Sequence, residues 1–162
     1  MISHVQRSQR ALTAVQHYLR RRGQHLVLQQ LPDERMAIIA LAGTGPRGGP
    51  VLGVRVSRPR WGMKHITTHS ALTGRRKQYH YRYRYCHWNL HSHGQPLAVQ
   101  PDVWVLVIAG RPLREAIVVP ASVVGRIKAV DWILGAKHLR SRLAPYVGRW
   151  DVLGGAEVRR VA

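Results

Sequence analysis

The sequence predicts one α/β domain with a mixed central β-sheet flanked by helices, and three observations carry that prediction. An N-terminal segment repeats its apolar residues at helical spacing. Several short apolar runs, separated by Gly and Pro, have the length and the Val/Ile content of strands. A second, shorter helical segment follows the last of those runs. The chain has 162 residues with 45% hydrophobic content, enough for a single core without cross-links.

Leu12, Val15 and Leu19, with Ala11 and Tyr18 beside them, predict the first helix. Arg20, Arg21 and Arg22 occupy its last turn, where cations suit the negative end of the helix dipole. Gly23 is placed to end it as a left-handed C′ residue. Strands are predicted at 25–31 (HLVLQQL) and 36–41 (MAIIAL). The Gly- and Pro-dense stretch 43–50 must turn, and 51–56 (VLGVRV) returns as a strand, so the last two strands form a hairpin. Residues 57–78 are polar, basic and poorly periodic and are read as a long loop. From Tyr79 to Leu90 the chain alternates, with Tyr79, Tyr81, Tyr83 and Tyr85 on one face and His80, Arg82, Arg84, Cys86 and Trp88 on the other.

Residues 103–109 (VWVLVIA) predict the central strand, Gly110-Arg111-Pro112 a turn, and 115–119 (EAIVV) its partner, ended by Pro120. A short helix is expected over Ala121 to Val130. Residues 131–150 read as irregular with one helical turn around Leu139 to Leu143, and Trp150, Val152 and Leu153 pack the end of the chain onto the core. The domain is expected to run over 1–153, with 154–162 as a flexible tail.

Charge is the outlier. There are 26 Lys and Arg against 7 Asp and Glu, a formal net charge of +19. No acid lies between positions 35 and 101, a stretch with eleven Lys or Arg residues. A charge kept for solubility mixes signs, whereas a one-sign block inside a folded domain reads as a face for a polyanion. Nucleic acid is the polyanion expected, since each phosphate contact releases condensed counterions. The candidate binding residues are Arg55, Arg58, Arg60, Trp61, Lys64, His65, Arg75, Arg76, Lys77, Arg82 and Arg84. Arg and Lys supply phosphate contacts, and Trp61 and the tyrosines offer rings to bases. Protein subunits of a nucleoprotein complex are the other partners expected. No membrane partner is expected, because no apolar run approaches a membrane span and the N-terminus has no apolar signal region. One cysteine, Cys86, fits a reducing cytoplasm, with the protein on nucleoid or nucleoprotein.

Other constellations yield no chemistry. His80, Cys86, His87, His91 and His93 crowd together, but Cys86 and His87 point to opposite strand faces, and only His91 and His93 are both close and co-facial. Cys86 has no nearby acid to orient a histidine and reads as a buried thiol. Residues 43–49 (GTGPRGG) lack the Lys-Ser/Thr ending of a phosphate-binding loop and lead into a strand.

A helix ending in glycine, a strand and a hairpin are followed by the word Leu52-Gly53-Val54-Arg55-Val56-Ser57. Later come the aromatic strand, the Gln100-Pro101-Asp102 entry to an apolar strand, Ile117-Val118-Val119-Pro120 before a helix, and the ending Ser141 to Leu153. In this pattern, over residues 10–153, the chain resembles the restriction-endonuclease-like PD-(D/E)XK superfamily. The resemblance implies two carboxylates and a lysine around Mg²⁺. Carried over by position, Met36 and Ala37 stand where the first aspartate is implied, Gly53 at the second carboxylate and Arg55 at the lysine. Arginine stays protonated and transfers protons poorly. Pro32-Asp33-Glu34 reads as a solvated turn. The expectation is therefore a catalytically inert, nuclease-like nucleic-acid-binding protein without a cofactor, in which Arg55 occupies the former metal site and contacts a phosphate. The alternatives are an active metal-dependent DNA endonuclease, homing or restriction-like, in which Asp33 or a partner chain supplies the acid for Mg²⁺, and a structural RNA-binding protein of unrelated fold.

Overall fold

The computed structural model describes residues 4–24, 26–29, 37–41, 49–91, 100–135 and 141–154. Helix α1 (His4–Arg21) buries Ala11, Leu12, Val15 and Leu19, the single face that their spacing predicts. Gly23 closes it at φ 77°, its N–H donating to the Arg20 carbonyl at 3.0 Å while the Gln24 N–H reaches back to Leu19 at 3.1 Å. That is a Schellman ending, which needs the left-handed residue that glycine supplies.

The strands are β1 (Leu26–Gln29), β2 (Ala37–Leu41), β3 (Val51–Ser57), β4 (Arg60–His69), β5 (Arg76–Asn89), β6 (Val103–Ile108), β7 (Ile117–Pro120) and β8 (Ala129–Ile133). They form a five-stranded sheet in the order β1-β2-β3-β6-β7 and a three-stranded sheet in the order β4-β5-β8. Strands β3 and β6 are parallel, with Leu52 opposite Val103, and the other pairs are antiparallel. The expected β2–β3 and β6–β7 pairings are both present. Strands β6 and β7 are buried at every position, which is why they read as unbroken apolar runs.

Strands β3, β6 and β7 of the large sheet are covered on both faces. Helix α1 and the C-terminal Trp150, Val152 and Leu153 lie on Leu52, Val54, Val103, Val105 and Val118. The opposite face, carrying Trp104, Leu106, Ile108, Ile117 and Val119, packs against Cys86 and Trp88 of β5 and Val130 and Trp132 of β8. The protein is thus a single mixed α/β domain layered helix, sheet, sheet. The expected mixed α/β domain is thus present with a second, smaller sheet, and the short segment Ala121–Val124 also packs on that second face through Val124.

Three element predictions change with it. The helix expected to reach Val130 stops after one turn, α2 (Ala121–Val124), because Gly125 turns the chain at φ 63°. The segment read as irregular begins inside β8, whose two buried positions, Val130 and Trp132, alternate with exposed ones. The long loop expected over 57–78 is mostly strand, β4 and the start of β5. Short 3₁₀ turns occupy Leu113–Glu115, Ala144–Tyr146 and Trp150–Gly154. The turn at 43–48, Asp33 and its neighbours, Met36, His93, the start of the 139–143 turn and the tail at 155–162 lie outside the described residues. No helix among the described residues is long and apolar enough to cross a membrane.

Candidate nucleic-acid interface

The hairpin β4–β5 leaves the body at Ser57. The Ser57 carbonyl accepts from the Ala109 N–H at 2.9 Å, extending the β3–β6 pairing by one residue. Its buried hydroxyl accepts from the His87 N–H at 3.0 Å, tying β5 to the end of β3. Trp88 adds an indole N–H to the Val107 carbonyl at 3.1 Å. The small sheet is therefore anchored through the lower part of β5, where Cys86 and Trp88 are buried and Tyr85 to Asn89 pair with β8.

Beyond Tyr85 the hairpin is a two-stranded arm. Trp61 pairs with Arg84 at its root and His69 with Arg76 near its tip. Strand β4 has ten residues, about 34 Å at roughly 3.4 Å per residue. Register sorts the side chains into two faces. On one, Trp61, Met63 and His65 stand opposite Arg84, Arg82 and His80; on the other, Arg60, Lys64 and Ile66 stand opposite Tyr85, Tyr81 and Tyr79. The tip, from Ser70 to Arg75, turns through Gly74 at φ 64°.

A two-stranded ribbon in water is marginal by itself, and this one is braced by its cross-strand pairs. The Tyr83 ring lies over Gly62, where an added Cβ would meet the ring at 2.7 Å. The His65 and His80 rings meet edge to face, their centroids 4.5 Å apart. The Trp61 ring lies 4.8 Å from the Arg82 guanidinium carbon and 5.6 Å from that of Arg84, which is cation–π distance.

Two clefts meet at the arm root, of about 540 and 560 Å³. Trp61, Arg84 and Arg111 line both; Arg82 lines one, and Arg58 and Arg60 the other. Arg111 was not among the residues that the sequence singled out. It lies in the turn after β6, and only the docking of the two sheets brings it to the arm. The Gly110-Arg111-Pro112 signal marks a turn and carries no hint of that proximity.

No ion pair joins an arm cation to a carboxylate among the described residues. The described acids have other partners, one of them Arg111 at the arm root. Asp131 bonds His87 across β5–β8 at 2.7 Å, Glu115 lies 3.6 Å from Arg111, and Asp151 pairs with Arg149 at 2.8 Å. The Asp102 carboxylate accepts the Val51 N–H at 2.8 Å, starting the parallel β3–β6 pair.

Of the candidate residues, Arg58, Arg60, Trp61, Lys64, His65, Arg75, Arg76, Lys77, Arg82 and Arg84 lie on the arm or at its root. Arg55 does not join them. It is buried within β3, away from the arm, and one guanidinium nitrogen donates to the His91 carbonyl at 3.4 Å. Where the resemblance implies a second carboxylate, the space is filled: an added Cβ on Gly53 would lie 2.8 Å from the Trp104 ring. Cys86 is fully buried, and desolvation pushes its thiol upward in pKa over the opposing pull of a Ser57 hydrogen bond and the Arg84 and Arg111 charges. No group of three or more His, Cys, Asp or Glu among the described residues could hold a metal ion. Compared with known proteins, the chain matches no family model, no curated protein and no solved structure.

Proposed function

We propose that this protein is a nucleic-acid-binding protein without nuclease chemistry, which grips the phosphate backbone with the β4–β5 arm and its root. One observation carries the reading. A projecting two-stranded arm, exposed on both faces, concentrates Arg60, Lys64, Arg76, Lys77, Arg82 and Arg84 on its strands, with no carboxylate paired to them among the described residues. Such a ribbon repels itself in isolation and is neutralised by a polyanion. A chain of this kind works as a subunit of a nucleoprotein assembly, presenting the arm to nucleic acid.

Two observations bear on the alternatives. The ring of Trp104 over Gly53 opposes an active metal-dependent endonuclease, because a carboxylate on β3 at that point has no room. Helix α1 packed on Leu52 and Val54 is what the nuclease-like pattern implies and an unrelated RNA-binding fold does not require.

A salt titration tests the reading. If about six arm and root cations touch phosphate, the log–log slope of affinity against salt is about −4 to −5, and affinity falls several-hundredfold or more between 50 and 200 mM. Arg58→Ala with Arg60→Ala makes the slope shallower by about 1.5 while far-ultraviolet dichroism is unchanged. Affinity that stays flat with salt refutes the proposal. Mg²⁺- or Mn²⁺-dependent plasmid cleavage by pure protein refutes the absence of nuclease chemistry.

A further inference from the structure

Trp61 differs from every other tryptophan in the chain. Trp88, Trp104, Trp132 and Trp150 are at most 5% exposed, whereas Trp61 is 61% exposed. It is neither a core residue nor an isolated surface ring. Register places it opposite Arg84, and the Arg82 and Arg84 guanidinium carbons lie 4.8 and 5.6 Å from its ring centroid. The two clefts that it lines are also lined by Arg58 and Arg60, by Arg82, and by the shared Arg84 and Arg111. Either has the volume of a small-ligand site. An exposed indole set among five arginines, with no acid in the lining, matches a ligand that is a flat aromatic joined to an anion.

We propose that this furrow is a binding site for a single unstacked nucleotide, its base on the Trp61 ring and its flanking phosphates on Arg58 and Arg111. The proposal rests on the nucleic-acid reading above and goes beyond it, because it sets the preferred strand state. Inside a continuous duplex both faces of each base are covered by neighbouring pairs, so an indole reaches only bases that are single-stranded or flipped out. Arginine suits the phosphates, since its planar fork binds two oxygens and stays charged where water is excluded. Arg111 is partly engaged by Glu115 at 3.6 Å, but that pair is half-exposed and contributes little, so phosphate displaces it.

Because four tryptophans are buried, the emission that acrylamide can quench comes from Trp61. The full-length protein is titrated with a short oligothymidylate and, separately, with a covalently closed relaxed plasmid that presents no ends, while filter retention reports binding in both arms. Oligothymidylate is expected to quench this emission and shield it from acrylamide, and the plasmid to bind without shielding it. The quenchable fraction disappears in Trp61→Phe. Trp61→Ala lowers oligothymidylate affinity about five- to hundredfold, and Trp61→Phe retains most of it. Arg111→Ala weakens binding and makes the salt slope shallower by about 0.7. Salt-dependent binding of oligothymidylate with Trp61 still open to acrylamide, or equal shielding by the closed plasmid, overturns the nucleotide site and leaves the general reading standing. Retention of neither nucleic acid at low salt overturns both.

Discussion

Replacing Gly53 by alanine isolates one contact on which the reading of the sheet depends. Gly53 lies opposite Trp104 across the parallel β3–β6 pair. An added Cβ would sit 2.8 Å from two Trp104 ring carbons and 3.0 Å from Pro101 Cγ. The glycine has no left-handed φ, so alanine fits the backbone and only packing is perturbed. Fewer unfolded conformations favour alanine by about 0.4–1 kcal/mol. Overpacking a closed core opposes it by about 1–3 kcal/mol. The Trp104 ring is 5% exposed and wedged among Leu106, Ile117 and Val119, so it does not swing aside freely. The net expectation is a loss of about 1–2 kcal/mol, read as a lower urea midpoint with an unchanged slope. The cycle is closed with Trp104→Leu, which removes the ring and by itself costs roughly 2–4 kcal/mol. In that background Gly53→Ala becomes neutral or stabilising, since no ring remains to meet. A Gly53→Ala variant as stable as its parent, or one that carries the same penalty in the Trp104→Leu background, refutes the placement of Trp104 over β3. The exclusion of a carboxylate from that position falls with it.

A larger effect is expected at Gly148, whose φ is 67° and whose added Cβ would meet the Arg114 carbonyl oxygen at 2.6 Å. Backbone cannot yield as a ring can, so Gly148→Ala loses about 2–4 kcal/mol, seen as a melting point lower by roughly 5–15 °C. Cys86 reacts with a thiol reagent only as fast as the protein opens, whereas the urea-unfolded chain reacts at once; fast labelling of the native protein contradicts its burial. Burial raises the Cys86 pKa, so the folded state holds the thiol proton more tightly than the unfolded state. Stability is then fully present below the ordinary thiol range and falls as pH rises through it towards the folded value. Cys86→Ala removes that alkaline slope, and a slope that persists in the variant assigns it to another group.

Much of the body was legible because burial leaves its mark on composition. Strands β6 and β7 are covered on both faces and read as unbroken apolar runs, and β3 does so apart from Gly53, Arg55 and Ser57. Helix α1 is covered on one side only and shows the spacing of Ala11, Leu12, Val15 and Leu19, with Gly23 at its end. The arm was half legible. The alternation from Tyr79 onward announces β5, but β4 has no buried position and thus no period, so Arg60 to His69 read as loop. A strand exposed on both faces has no reason to alternate. Strand β8 was lost for a different reason: five residues with two buried side chains are too short to outweigh the helical look of the residues before them.

Charge segregation needs no coordinates. Where the acids fall along the chain follows from the residues alone, and so do the strands sunk within the body. Which cations share a surface is a matter of long-range pairing. Register divides the arm side chains between two faces, and the packing of one sheet on the other carries Arg111 to Trp61 while it seals Arg55 inside. Local preference is set by neighbours in sequence, whereas these placements come from contacts between residues tens of positions apart, which no window along the chain contains.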